Sequence, residues 1–186
     1  MRRVRWYVRS LAVLGFGLVW PQTAWAQDFQ WQGSVGAGRM IEVKGINGGI
    51  RAVAASGDEV QVTAVIHERR RGDADDIEFE VLEHADGVTV CAMYPTPRRE
   101  RRPNECRPGS GGRMSTQDID VEVDFTVRVP ANTNADARLS VVSGVPTSDF
   151  PIVETSPGIW EATLGAGGSL ISLSAVSGNV TLRGGG

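Results

Sequence analysis

The sequence of 186 residues contains two cysteines and two histidines. These numbers leave few side chains for a metal site or for catalysis by histidine, so we consider the cysteines first. Cys91 and Cys106 could form a disulfide across a loop of roughly 15 residues, a link that stabilises a chain by about 3 kcal/mol. They could instead supply two ligands to a metal ion, but no histidine lies close in sequence to complete such a site. We therefore predict a disulfide, and we predict no metal, no cofactor and no catalytic residue.

Arginine is concentrated in the same region. Residues 95–117 read PTPRRERRPNECRPGSGGRMSTQ and show no apolar periodicity, and long loops of this kind are usually functional or disordered. Guanidinium groups bind phosphate and carboxylate through paired hydrogen bonds, so the segment predicts a site for an anionic envelope polymer or a lipid head group. A solvated, partly disordered loop pinned by the disulfide is the alternative. The candidate ligand-binding residues are Arg98, Arg99, Arg101, Arg102, Arg107 and Arg113, and only Glu100 and Glu105 oppose their charge.

The charge of the whole chain excludes one class of partner. The 19 Lys and Arg residues are outnumbered by 22 Asp and Glu residues, for a net charge of -3, whereas nucleic-acid-binding domains carry a basic excess. We therefore predict that nucleic acid is not a partner. The length of 186 residues fits one domain better than two.

The first 26 residues have the pattern of a secretory signal peptide. Four arginines within residues 2–9 precede the apolar run LAVLGFGLVW at 11–20, and Ala24-Trp25-Ala26 matches an A-x-A cleavage site. A transmembrane helix is the alternative, but the apolar run is about half the ~20 residues that a span requires. We predict cleavage before Gln27, export to the periplasm or the cell surface, and no transmembrane segment afterwards. The remaining 160 residues would keep 15 basic and all 22 acidic side chains, and so carry a net charge of -7.

Valine and isoleucine alternate with polar residues in several short runs, which is typical of strands with one buried face. The run at 119–129 has six apolar residues in strict alternation, and Pro130 ends it. Runs at 60–66, 77–81 and 88–92 alternate in the same way, and Asp86-Gly87 between the last two predicts a hairpin. We predict one all-β domain over residues 27–186.

A repeated unit indicates how these strands are arranged. IEVKGINGGIRA at 41–52 aligns without a gap with ISLSAVSGNVTL at 171–182, and LSVVSGV at 139–145 is a shortened copy. Each unit is a short strand, a corner at Gly48, Gly178 or Gly144, and a second short strand. Such a unit cannot bury its own apolar side, so copies must stack on one another. This predicts a β-solenoid or β-roll; a β-sandwich whose corners match by chance is the alternative.

Three segments resemble the bacterial adhesin-domain family known as DUF4097, whose function is unknown. They are FQWQGSVGAGRMIEVKGINGGIRA at 29–52, VRVPANTNADARLSVVSG at 127–144 and ISLSAVSGNVTLR at 171–183, and the likeness spans most of residues 29–183. The resemblance implies a repetitive, solenoid-like all-β fold in an exported or envelope protein. It implies no catalytic residues, because the family has none established.

Three function classes follow from these observations. The first, which we favour, is a non-catalytic envelope or adhesion-type protein that presents a repetitive β surface to an anionic polymer or to another envelope protein. The second is a polysaccharide-acting enzyme on a β-helix, which requires a cluster of charged residues on one face. The third is a periplasmic partner in envelope-stress signalling. The fold alone does not separate these classes.

Overall fold

The computed structural model describes residues 2–6, 29–117, 119–131 and 134–184, and nearly all of its regular structure is β-strand. The one helical element in these ranges is a 3-10 turn at Ala74–Asp76. The expectation of an all-β chain is therefore confirmed. The strands are β1 (Arg2–Trp6), β2 (Phe29–Gly33), β3 (Met40–Asn47), β4 (Ile50–Ala55), β5 (Val60–Glu68), β6 (Glu78–His84), β7 (Gly87–Met93), β8 (Val121–Pro130), β9 (Ala135–Ser143), β10 (Pro146–Ser148), β11 (Val153–Ser156), β12 (Ile159–Leu164), β13 (Ser169–Ser177) and β14 (Val180–Arg183).

Most of the predicted signal peptide lies outside the described residues. Residues 2–6 form β1, which pairs antiparallel with β6, and residues 7–26 are not described. Cleavage before Gln27 therefore stays a prediction.

The strands form two mixed sheets that face each other. Sheet A has the order β1-β6-β7-β3-β13-β9-β12-β11, and sheet B has the order β10-β14-β4-β8-β5-β2. One cluster of buried side chains from both sheets fills the space between them. Within it the ring of Phe79 from sheet A stacks on Phe29 of sheet B, with centroids 4.4 Å apart, and meets Phe125 of sheet B edge-on at 6.0 Å.

The arrangement is compatible with the sandwich alternative, and the described residues do not form a solenoid. A solenoid is built from parallel rungs throughout. Here β5 and β2 at one edge of sheet B, and β12 and β11 at one edge of sheet A, pair antiparallel with their neighbours. The expectation of a solenoid is corrected to two mixed sheets for this reason.

The repeated units nevertheless stack on one another in the parallel middle of both sheets. Ile171 lies opposite Ile41 in β13 and β3, and Val180 lies opposite Ile50 in β14 and β4. The sequence alignment of the two copies is thus also their hydrogen-bond register. The short copy continues the stack, since Leu139 of β9 lies opposite Leu173 and β10 pairs parallel with β14.

Strands β7 and β8 add a fourth unit to this stack. Val90 of β7 lies opposite Val43, and Phe125 of β8 lies opposite Ile50. In the other three units two residues join the strand in sheet A to the strand in sheet B, whereas residues 94–120 join β7 to β8. The arginine-rich segment is therefore an insertion at the corner of the fourth unit.

The corners of the three repeat copies lie directly on one another. Gly48, Gly144 and Gly178 have φ angles of 106°, 154° and 143°, and a side chain at any of them would overlap the backbone of the next unit. The Gly178 N–H donates to the Ser143 carbonyl at 2.9 Å, and the Gly48 N–H donates to the Ser177 carbonyl at 3.0 Å. Only glycine satisfies both the backbone angle and the close approach.

Candidate functional site

The arginine-rich insertion, residues 95–117 and hereafter the insert, has a compact structure of its own. Cys91 and Cys106 form a disulfide with their Cα atoms 6.1 Å apart, which ties the insert to β7. Glu105 and Arg113 exchange two backbone hydrogen bonds of 2.7 and 2.9 Å. The residues between them form the tip of a short hairpin. These backbone hydrogen bonds hold the insert in addition to the disulfide.

Asn104 closes the base of the insert. Its Nδ2 donates to the carbonyls of Tyr94 at 2.8 Å and Ser115 at 2.9 Å, and its Oδ1 accepts from the Ser115 N–H at 2.8 Å. The Tyr94 hydroxyl donates to the Val121 carbonyl at 3.1 Å. Burial of this hydroxyl raises the pKa of Tyr94 well above its usual range. The side chain of Asn104 therefore joins the two ends of the insert through part-buried hydrogen bonds.

Lys44 of β3, the only lysine of the chain, holds the tip of the insert. Its Nζ donates to the carbonyls of Arg107 at 2.6 Å and Gly111 at 3.3 Å, and also to that of Gly109. An ammonium group carries three N–H donors on one atom, whereas the donors of a guanidinium lie in a plane. Three carbonyls that converge on one point therefore fit lysine better than arginine.

Glu42, two residues before Lys44 on the same face of β3, supports the same tip. It is only 4% exposed, because the insert covers it. Its carboxylate accepts hydrogen bonds from Thr89 Oγ1 at 2.9 Å and from the Gly109 N–H at 3.0 Å, and Lys44 Nζ lies 3.7 Å away. A buried carboxylate is costly unless it is hydrogen-bonded and paired, and this one is both.

Beyond the insert, the outer face of sheet A forms a groove of about 580 Å³. Its floor carries the hydroxyls of Ser140, Ser172 and Ser174. Ser174 lies opposite Lys44 on one side and opposite Ser140 on the other. Neighbouring strands are ~4.8 Å apart, so the floor extends about 10 Å from β3 to β9. The walls include Arg107, Arg113 and Met114 of the insert, Arg138 of β9 and Ile159 of β12.

Two of the six predicted arginines line this groove. Arg107 pairs with Glu105 at 2.8 Å, and Arg113 pairs with Glu100. Arg98, Arg99, Arg101 and Arg102 are exposed and do not line it. The structure therefore divides the predicted cluster into two arginines at the groove and four elsewhere on the surface of the insert.

Sequence patterns did not point to Lys44, Glu42, Arg138 or the serine floor. Each occupies the polar half of an alternating strand, which is typical of a solvent-facing position. One feature of the sequence could have drawn attention to Lys44, because it is the single lysine among 19 basic residues. Its role depends on the insert, which follows more than 50 residues later in the chain.

The groove offers the chemistry of binding, because its cations and hydroxyl groups are hydrogen-bond donors. Among the described residues no group of three or more His, Cys, Asp or Glu side chains could hold a metal ion. The described part also contains no helix with the length and apolar character needed to cross a membrane.

Comparison with known proteins gives little further information. No family model matches the chain, and none of the curated proteins is significantly similar to it. Among solved structures, one from Clostridium sporogenes ATCC 15579, described as a putative cell adhesion protein, is 6% identical with a TM-score of 0.26. The match covers 84% of this chain and 99% of that chain. A likeness this distant establishes neither a family nor a function, so membership of the DUF4097 family is not shown.

Proposed function

We propose that this chain is an exported, non-catalytic binding protein of the adhesion type, and that the groove beside the insert binds an anionic ligand. The anchoring of the insert carries this proposal. The disulfide, Asn104 and Lys44 fix its backbone at three places, and the result is that Arg107 and Arg113 line a groove. Groups held in place bind a ligand with a smaller loss of conformational entropy than groups on a free loop.

The charge of the groove supports an anionic ligand. Four cationic side chains line it, each within 4 Å of a carboxylate, and the insert carries six arginines against two glutamates on a chain whose net charge is -3. Glu42 and Lys44 are engaged with the insert. The remaining pairs are exposed at the surface, where an ion pair contributes only about 0–1 kcal/mol. A ligand with several carboxylates or phosphates can therefore replace them.

The state of the two carboxylates in the groove supports a binding role over a hydrolytic one. Glycoside hydrolysis normally uses two carboxyl groups on either side of the scissile bond. Glu42 is covered by the insert, and Glu105 pairs with Arg107 at 2.8 Å. Both carboxylates are therefore already engaged in contacts within the protein.

Export and the family resemblance belong to the same proposal. Structural disulfides persist in oxidising compartments, and the chain contains one, at Cys91–Cys106. The four stacked units in the middle of both sheets are the part of the fold that agrees with a solenoid-like adhesin domain. Expression of the full chain in a bacterium tests export: the periplasmic or secreted protein should begin at Gln27.

The binding site is tested with two anionic polymers, polygalacturonate and polyphosphate, passed over the immobilised protein. A charge-assisted hydrogen bond contributes about 1.5–3 kcal/mol, so Arg107→Ser with Arg113→Ser should weaken binding of one or both by roughly tenfold or more. Arg70→Ser with Arg128→Ser, which removes two exposed arginines elsewhere, should change it less than about twofold. Binding that is equally weakened by both double variants, or absent from the wild-type protein at low salt, would refute the assignment of the site.

A further inference from the structure

An apolar row crosses the outer face of sheet A beside the serine floor. Ile46 of β3, Val176 of β13 and Val142 of β9 occupy equivalent outward positions, because the register pairs their neighbours on both sides. Their exposed fractions are 7%, 45% and 79%. Exposure therefore increases with distance from the insert, and the row is covered only where the insert lies over it.

We infer that the anionic ligand is a polypeptide, and that the open half of this face binds an extended, acidic segment of a partner protein beside the insert. The inference rests on the proposed function and names the ligand class of the same site. The insert itself shows that this face binds a polypeptide segment, since its backbone already contacts Lys44 and Glu42 there.

Side chains of the face form hydrogen bonds with the backbone of the insert. Lys44 donates to three carbonyls, and Glu42 accepts one N–H. Hydrogen-bonding side chains continue in the same register across the open half: Ser174 lies opposite Lys44, and Ser172 lies opposite Glu42. A second polypeptide segment would therefore meet hydroxyl groups where the insert meets Lys44 and Glu42.

Two of the residue types around the groove, methionine and arginine, are common in protein interfaces. The methionines at 40 and 114 line it, and Met93 packs against the disulfide at the foot of the insert. Methionine adapts to irregular apolar partners, and methionine and arginine are enriched where proteins bind proteins. No aromatic side chain lines the groove within the described part of the chain, so a sugar ring has no aromatic surface on which to stack.

The positive charge of the insert favours acidic residues in the bound segment. Each cation of the groove lies within 4 Å of a carboxylate, but the insert as a whole carries six arginines against two glutamates, and the exposed valines provide apolar contact beside it. An extended segment presents every second side chain to this face, so acidic residues at such positions would reach Arg107 or Arg138, and aliphatic residues further along would pack on Val142 and Val176.

The inference is tested by selecting a phage-displayed library of random dodecapeptides on the immobilised protein and measuring the affinity of the enriched peptides. We expect enrichment of peptides that combine Asp or Glu with Val, Ile or Leu. Ser174→Trp, which fills the floor, and Val142→Asp, which adds like charge at an exposed position, should each weaken those peptides roughly tenfold or more. Thr126→Trp, an outward position on β8 of sheet B, is the matched control and should leave binding within about twofold.

The outcomes separate the ligand class from the site. If polygalacturonate or polyphosphate binds through Arg107 and Arg113 while no acidic peptide is enriched, the proposed site stands and the polypeptide ligand is wrong. Peptides that bind Ser174→Trp and wild-type protein equally overturn the inference as well. If neither peptide nor polymer depends on the groove, the proposed function fails with it. Circular dichroism of each variant establishes that it is folded.

Discussion

Replacement of Gly48 by alanine tests whether close contact with the neighbouring unit requires glycine at this corner. Gly48 has a φ of 106°, and a Cβ there would overlap the backbone of Val123 in the neighbouring unit. Gly57 has a φ of 115°, but nothing lies within 4 Å of the place that its Cβ would take. The two glycines thus share a backbone conformation and differ in their contacts.

Because the two glycines share a backbone conformation, the cost of backbone strain can be separated from the cost of steric overlap. A non-glycine residue at such a backbone angle costs about 1–3 kcal/mol, and both variants incur that cost. Only Gly48→Ala must also displace a neighbouring backbone, and overpacking of this kind costs about 1–3 kcal/mol more. We therefore expect Gly48→Ala to lower the free energy of unfolding by about 2–6 kcal/mol and Gly57→Ala by about 1–3 kcal/mol.

Urea unfolding of the oxidised protein, followed by far-ultraviolet circular dichroism, measures the difference. The midpoint should fall further for Gly48→Ala at an unchanged slope, since the surface exposed on unfolding stays the same. If the Gly48→Ala variant fails to fold and the Gly57→Ala variant folds, the loss of stability is again larger at Gly48, as expected. Equal losses in the two variants would refute the close approach to Val123 as the reason for glycine at position 48.

Three further predictions concern the insert and the surface. Lys44→Arg keeps the charge but cannot direct three donors from one atom, so limited proteolysis within the insert should be several times faster than in the wild-type protein; equal rates would contradict the role of the ammonium group. Cys91→Ala with Cys106→Ala should lower the free energy of unfolding in urea by about 3 kcal/mol, and a loss near zero would argue against the disulfide as a structural link. The Arg183 guanidinium, hydrogen-bonded to Asp149 at 2.6 Å, lowers the pKa of that carboxyl, so its contribution to stability is present above the ordinary Asp value of about 3.8 and is lost as the pH falls through the lowered folded value. Asp149→Asn should therefore make the unfolding midpoint less dependent on pH below about pH 4, and an unchanged pH profile would contradict this.

Local pattern was enough to predict the strands. The alternating run at 119–129 corresponds to β8, Val121–Pro130, and Asp86-Gly87 lies at the turn between the antiparallel strands β6 and β7. A strand with one buried face alternates apolar and polar residues, so the local sequence is sufficient to predict it. No information from distant parts of the chain is required.

The repeat also predicted which residues of neighbouring strands pair, because stacked copies of a unit place equivalent residues opposite each other. The alignment of Ile41 with Ile171 was therefore also a prediction of hydrogen-bond register, and the two residues are paired. The edges of the sheets carry no such repetition. Strands β2, β5, β11 and β12 pair antiparallel, and nothing within a repeat unit indicates where the stack ends.

The candidate site could not be predicted because alternation tells which side a residue faces and not what covers that side. Glu42 and Thr89 are the two buried polar side chains of the described chain, and both stand at polar positions of alternating strands. The insert covers Glu42, to which the Gly109 N–H donates a hydrogen bond, and it leaves Val142 exposed in the same sheet. A buried carboxylate must be compensated by hydrogen bonds, so its burial marks a contact with defined geometry. The part of this face that the insert leaves open lies next to that contact and has donors in the same register, which is why we place the ligand there rather than on the more strongly charged but exposed arginines.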